Sequence, residues 1–296
     1  MVKPIYEFVL WDNCLNACSF CWQKKHGYKP LCLAQKELAG RSVAKVLADK
    51  EAYAHGSHVL LIGGELFDVR DSNNVVGHLF DLALGKMLSG AIDLLYFNTN
   101  LLRTNEPLLA HILTKFKVHN LFHRLKFTTS HDVVGRFRES KFPYDDEGTE
   151  HEWLSRVKWL RRDFPDLKIT VNSILTAPLC ERILQGTFNP VIEFKKYGCY
   201  TAILPYVPVD ESLVPTRQQV FGALSKIETL EPGYLEPYIR LLDANQQRIV
   251  MKFDGEKFVP KSADTAKCGH CENLSMYSTG KTCFVCDLKT VFSDLL

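Results

Sequence analysis

Six short apolar runs alternate with longer amphipathic stretches along most of this chain, and no other feature constrains its fold as strongly. The runs are Ile5–Trp11, His58–Ile62, Ile92–Phe97, Leu125–Thr129, Leu167–Ile174 and Tyr200–Tyr206. Each is short and apolar-rich, the pattern of a buried strand. Helical patterns near Gln35–Ala54, Val75–Leu88, Glu106–Phe116, His151–Asp163 and Leu179–Lys196 separate them, and another near Arg217–Leu230 follows the last. The runs recur at the roughly 30-residue repeat of a βαβ unit, which predicts a parallel sheet covered by helices. Six units are too few to close an eight-stranded barrel. The expected fold is α/β, a partial (β/α)6 TIM-type barrel of parallel strands with a small cysteine-rich C-terminal extension.

The extension begins where the pattern changes. Pro232, Gly233 and Pro237 break the periodicity, and Arg248–Phe253 and Lys257–Val259 flank an Asp254-Gly255 turn as a short strand pair. Residues 1–231 are therefore read as the barrel domain and 232–296 as the extension. Neither an internal repeat nor a low-complexity segment interrupts them.

Function in such barrels gathers at the C-terminal ends of the strands, and there the residues are least like a core. The first strand runs into Cys14, the second ends in Gly63-Gly64-Glu65, and the third in Asn98-Thr99-Asn100. The fourth ends in Ser130-His131-Asp132, the fifth reaches Asn172 and Ser173, and the sixth ends in Pro205-Tyr206-Val207-Pro208.

Charge and composition exclude several classes. The formal net charge of +2 gives no global electrostatic case for binding nucleic acid or a membrane. Arg136, Arg138 and Lys141 make only a local basic patch, read as a solvated face. No apolar stretch approaches the roughly 20 residues that span a bilayer, and MVKPIYEFVLW lacks the apolar core of a secretory signal. A cytoplasmic, reducing location is expected, where ten cysteines mean metal ligation or catalysis rather than disulfides. Cys32, Cys180 and Cys199 stand alone and read as small buried hydrophobes.

Cys14, Cys18 and Cys21 form a C-x3-C-x2-C triplet. Three thiolates can hold three corners of a cubane iron–sulfur cluster, whereas most such clusters take four. The open iron is then a place for a ligand. A rival reading groups Cys18, Cys21, His26 and Cys32 as a Cys3His zinc knuckle for nucleic acid, but it leaves Cys14 unused and does not explain the strand–helix pattern.

With these residues in order, the chain resembles the radical S-adenosylmethionine superfamily over about residues 5–210. The triplet matches that family's motif, with Phe20 as the aromatic before the last cysteine. The resemblance implies that Cys14, Cys18 and Cys21 hold a 4Fe–4S cluster whose open iron chelates S-adenosylmethionine. One electron, from a donor such as flavodoxin or ferredoxin, then yields methionine and a 5′-deoxyadenosyl radical that takes hydrogen from a substrate. Gly63-Gly64-Glu65 resembles the motif that receives the cosubstrate's ammonium; glycines permit close backbone approach and an anion suits an ammonium. Thr99-Asn100 resembles a threonine-asparagine-glycine motif, with Leu101 in place of the glycine. Ser130 and Asn172 are the implied ribose or carboxylate contacts, and Tyr206 lies where the adenine edge is received. Tyr206, His131, Arg136 and Arg138 are candidates to meet a substrate at the barrel mouth.

The tail carries a second metal motif, Cys268-x2-Cys271-x11-Cys283-x2-Cys286. Four thiolates with no open position suit structural Zn²⁺, with His270 beside them as a solvent or outer residue; the same set can hold an auxiliary iron–sulfur cluster. The substrate is expected to be a small molecule, a nucleoside or a nucleic-acid base, with a peptide as the alternative. The non-enzymatic alternative is a zinc-dependent nucleic-acid-binding protein.

Overall fold

Every one of the six apolar runs forms a strand. The computed structural model describes residues 5–11, 14, 18, 21, 31–49, 56–68, 74–133, 146–206, 210–236 and 248–260. The strands are β1 (Ile5–Val9), β2 (Ser57–Ile62), β3 (Ile92–Asn98), β4 (Leu125–Ser130), β5 (Ile169–Leu175) and β6 (Tyr200–Pro205). The helices are α1 (Leu33–Ala48), α2 (Asn74–Leu88), α3 (Glu106–Val118), α4 (Asp146–Asp163), α5 (Ala177–Gln185), α6 (Pro190–Lys195) and α7 (Arg217–Leu230). The stretch expected as one helix over Leu179–Lys196 is thus two. Gly186, at φ +75°, closes α5 in the left-handed conformation that glycine favours. Asn189 Oδ1 then accepts the Val191 N–H at 3.0 Å and starts α6, with Pro190 at its first position.

The sheet runs β6-β5-β4-β3-β2-β1-β7-β8, where β7 is Arg248–Phe253 and β8 is Phe258–Pro260. All neighbours from β6 to β7 are parallel, and β8 returns antiparallel along β7. The hairpin was expected; its attachment was not. Its first strand lies parallel to β1, with Ile5 opposite Arg248 and Val9 opposite Lys252. Because β6 and β8 stand at the two ends of the sheet order, the described strands leave the barrel open, as a six-unit sheet requires.

Side chains alternate across the sheet. One face packs against the helices around a chain of aromatic rings. Phe97 on β3 meets Phe67, Phe80 and Phe127 at centroid distances of 5.7, 4.9 and 5.2 Å. All four are at most 1% exposed, and full burial of each is worth about 1.5–3 kcal/mol. The other face is concave and carries the intervening residues: Asn98, Thr128, Ser130, Asn172 and Ile174. A closed barrel fills this space with branched apolar side chains; here β3 to β5 add Asn98, Thr128, Ser130 and Asn172 to the apolar Val9, Leu60, Ile62 and Leu94 of β1 to β3.

The free side of β6 is not bare. The Tyr234 hydroxyl donates to the Thr201 carbonyl at 3.0 Å and accepts the Ile203 N–H at 3.3 Å, making part of the ladder that another strand would make.

Candidate active site

The ends of β1 and β2 are pulled together beyond the strands. Leu10 N–H donates to the Ile62 carbonyl at 2.8 Å, and Gly64 N–H to the Trp11 carbonyl at 2.7 Å. Gly63 lies between them. A Cβ on it would stand 2.8 Å from the Trp11 carbonyl oxygen; that oxygen is backbone and cannot swing aside, so the close approach requires glycine.

From this junction the chain enters the cysteine segment. Cys18 is 5% exposed, and Cys14 and Cys21 are partly exposed. Cys21 N–H donates to the Cys18 carbonyl at 3.2 Å, so the two cysteines share one turn. Cys18 packs with Tyr206 and Leu213, and Cys21 and Ile174 close the group. Tyr206, from the end of β6, is itself locked: its hydroxyl donates to the Asp210 carbonyl at 3.1 Å and accepts the Asp210 N–H at 2.8 Å. The structure therefore brings the first strand's cysteines against the end of the sixth strand, across the mouth of the sheet.

Glu65 follows the glycines and points inward, 2% exposed. Its Oε1 accepts the Phe67 N–H at 3.0 Å and the Thr99 hydroxyl at 2.7 Å, and its Oε2 accepts the Asn100 N–H at 2.6 Å. A carboxylate offers about four lone-pair positions, so one remains, on Oε2. Burial pushes the Glu65 carboxyl up to about 7, because the three hydrogen bonds that favour the anion do not offset desolvation and the charge of Asp68 adds to the rise. Further on, Asn105 N–H donates to the Phe67 carbonyl at 2.7 Å and Asp68 bridges Thr104. The loops after β2 and β3 are laced together, with Glu65 at their centre.

The loop after β3 also bends sharply. Leu101 and Arg103 have φ of +59° and +51°, a region costing a leucine about 1–2 kcal/mol. The glycine expected at position 101 from the resemblance is absent, yet the glycine conformation is kept. Surrounding contacts enforce it: Leu101 is fully buried, Arg156 donates to its carbonyl at 3.4 Å, and Arg103 N–H donates to Glu152 at 2.9 Å. The bend turns the Asn100 side chain toward the cysteines. Asn100 Nδ2 lies 3.6 Å from Cys14 Sγ, and Asn100 Oδ1 accepts the Leu102 N–H at 2.7 Å.

Ser130 and Asn172 are directly opposite each other on β4 and β5 and face the concave side. Ile174, two residues beyond Asn172 on the same face, touches the Cys18–Tyr206 group. Asp132 fixes this end of β5 by accepting the Ile174 N–H at 2.7 Å. His131 faces the other way. It is 5% exposed among Trp153, Phe194 and Phe188, at ring distances of 5.0, 4.9 and 6.1 Å, on the helix side and not at the mouth.

The solitary cysteines divide. Cys180 and Cys199 are buried, and burial pushes their thiols up to about 12 and about 11, so both are inert. Cys32 departs from the expectation of burial: it is exposed at the start of α1, where its N–H donates to Gln35 Oε1 at 3.0 Å. Phe20, His26, Arg136, Arg138 and Lys141 lie outside the described residues, as do Cys268, His270, Cys271, Cys283 and Cys286.

Among the described residues, no three Cys, His, Asp or Glu side chains converge on one metal ion. A cubane asks for something different, since its three cysteines bind three separate irons and need not share a focus. The donor chemistry fits such a group: three thiols on one short segment, one facing an amide N–H, beside the polar residues of the concave face.

What fold and site define together is an open parallel α/β barrel with its functional groups at the C-terminal strand ends. No family model matches the chain, and no curated protein is found similar to it. Solved structures are. One, a polyhistidine-tagged anSMEcpe with bound AdoMet, superposes with a TM-score of 0.52 at 12% identity, over 84% of this chain and 61% of that one. Another, "Native anSMEcpe with bound AdoMet and Cp18Cys peptide", gives 0.51 at 13% identity, over 84% and 63%. The chain thus spans less than two thirds of those structures, and shares their fold.

Proposed function

We propose that this chain is a radical S-adenosylmethionine enzyme, with a 4Fe–4S cluster on Cys14, Cys18 and Cys21. The observation that carries this reading is the meeting of the triplet with the Glu65–Asn100 assembly: the Asn100 amide lies against Cys14 in the mouth of the sheet. The shared fold supports it, since anSME is an anaerobic sulfatase-maturating enzyme of the radical SAM class. When bound, the cluster supplies the electron that splits the sulfonium of S-adenosylmethionine.

The chain's own residues bind and orient. Backbone at Gly63 and Gly64 and the last lone-pair position of Glu65 would receive the cosubstrate's ammonium, which would also draw the Glu65 proton off. Ser130 and Asn172, side by side on the concave face, are suited to ribose hydroxyls or the carboxylate. Asn100 would line the same space. Tyr206, fixed through its hydroxyl, presents the end of β6 to the adenine. A flavodoxin or ferredoxin would donate the electron. Cys268, Cys271, Cys283 and Cys286 would hold Zn²⁺ or a second cluster within a 232–296 extension. A reducing, cytoplasmic setting suits these thiols; no described helix is long and apolar enough to cross a membrane.

Two substrate readings stand. The polar residues of the concave face suit a small molecule, a nucleoside or a nucleic-acid base. The bound peptide in two of the similar structures favours a peptide. The test of the class is anaerobic reconstitution with iron and sulfide, then reduction with S-adenosylmethionine. About four irons per chain at the triplet and release of 5′-deoxyadenosine are expected, both lost in Cys14→Ala, Cys18→Ala or Cys21→Ala. Zinc without iron at the triplet would sink the enzyme reading in favour of the nucleic-acid-binding one.

A further inference from the structure

We infer that Asn100, set in place by Glu65, tunes the reduction potential of the cluster through a hydrogen bond to the Cys14 sulfur. This rests on the reading that Cys14 is a cluster ligand. Three contacts fix the Asn100 group. Its backbone N–H is held by Glu65 Oε2 at 2.6 Å, and its Oδ1 accepts the Leu102 N–H at 2.7 Å. The amide is planar, so with oxygen committed to Leu102 the Nδ2 end must face Cys14 Sγ, 3.6 Å away. The oxygen and nitrogen ends are therefore assigned by chemistry: a flipped amide would set N–H against N–H at Leu102. Asn100 is 8% exposed, so its amide is largely withdrawn from water, while Cys14 is partly exposed.

Adding one electron makes the cluster and its sulfur ligands more negative. A donor aimed at a ligating sulfur then stabilises the reduced form more than the oxidised form, and the potential rises. Glu65 acts as a positioning residue. It does not touch the sulfur, but it holds the Thr99–Asn100 backbone from which the amide projects. The strained turn at Leu101 serves the same end, because it lets Leu102 N–H come back to Asn100 Oδ1.

The test is the midpoint potential of the reconstituted full chain, measured by redox titration followed by electron paramagnetic resonance. Iron and sulfide are counted in the same samples. Asn100→Ala is expected to lower the one-electron reduction constant up to about ten-fold, which is ~59 mV. Asn100→Asp keeps the shape and the bond to Leu102 but presents an anion to the sulfur, so it should fall at least as far. Replacing the Glu65 carboxyl also changes the local charge, so its positioning role is read from a double variant: the shift caused by Asn100→Ala should shrink in the Glu65→Gln background, an effect that loss of the charge alone would not produce. Asn100→Ala and Asn100→Asp at full iron content with the wild-type potential would overturn the inference and leave the cluster reading intact. A wild-type chain that takes up no iron overturns both.

Discussion

Glu65 makes the stability of the cofactor-free chain fall as pH rises. In the unfolded chain its carboxyl titrates near 4.5, whereas in the fold burial holds the proton to about 7. Below 4.5 both states are protonated and the stability is fully present. Between the two values the unfolded chain has released its proton and the folded chain has not. Unfolding is then favoured by about 1.4 kcal/mol for each pH unit. The loss reaches about 3 kcal/mol by pH 8 and changes little beyond. Glu65→Gln removes this titration while other groups remain in both proteins. The observable is the difference in unfolding free energy between wild type and variant, from urea titrations at pH 4.5 and pH 8. Wild type should lose about 3 kcal/mol against the variant over that interval. A pH-independent difference, or one growing in favour of wild type, would refute the account of a desolvated carboxyl. A cationic ligand at the carboxyl reverses the preference, so S-adenosylmethionine should bind more tightly as pH rises through 7.

Two further outcomes follow from backbone features. At position 101 the usual order of truncations should invert: Leu101→Ala and Leu101→Gly both lose a fully buried side chain, but only glycine relieves the positive φ. The glycine variant should therefore be the more stable by about 1 kcal/mol, as chemical denaturation would show. Tyr234→Phe removes the hydroxyl that bridges Thr201 and Ile203 on the β6 edge; it should cost about 1–2 kcal/mol and produce concentration-dependent association visible by light scattering.

The strand–helix alternation was legible because the buried face of each strand leaves a short apolar-rich run in the sequence, and five of the six helical patterns became single helices. The sixth broke where Gly186 and Pro190, both readable, outweighed an apolar periodicity that continued through them. Pairing of β7 with β1 had no local signature, since register between distant strands depends on which edge is free once the sheet has formed. The candidate site was legible only as residue types at strand ends, where Glu65, Ser130 and Asn172 do stand. Its connections were not. Nothing near Asn100 in the sequence says that its amide reaches a cysteine, and Leu101 argued against a glycine-like turn that the packing of Arg156 and Glu152 nevertheless imposes. His131 shows the reverse failure: a polar residue at a strand end, turned by the two-residue period into an aromatic pocket.

The placement of β7 also has a temporal side. β1, which leads into the cysteine triplet, has one neighbour near residue 58 and the other near residue 248. A ribosome adding about 5–20 residues per second needs about ten to forty seconds to bridge that interval. Throughout it, β1 has one side unpaired, and the β6 end that packs on Cys18 is made only near residue 206. Metal loading that requires the finished mouth must therefore come late in synthesis, and the long loop to be closed predicts slow folding. The first strand made is among the last to be completed.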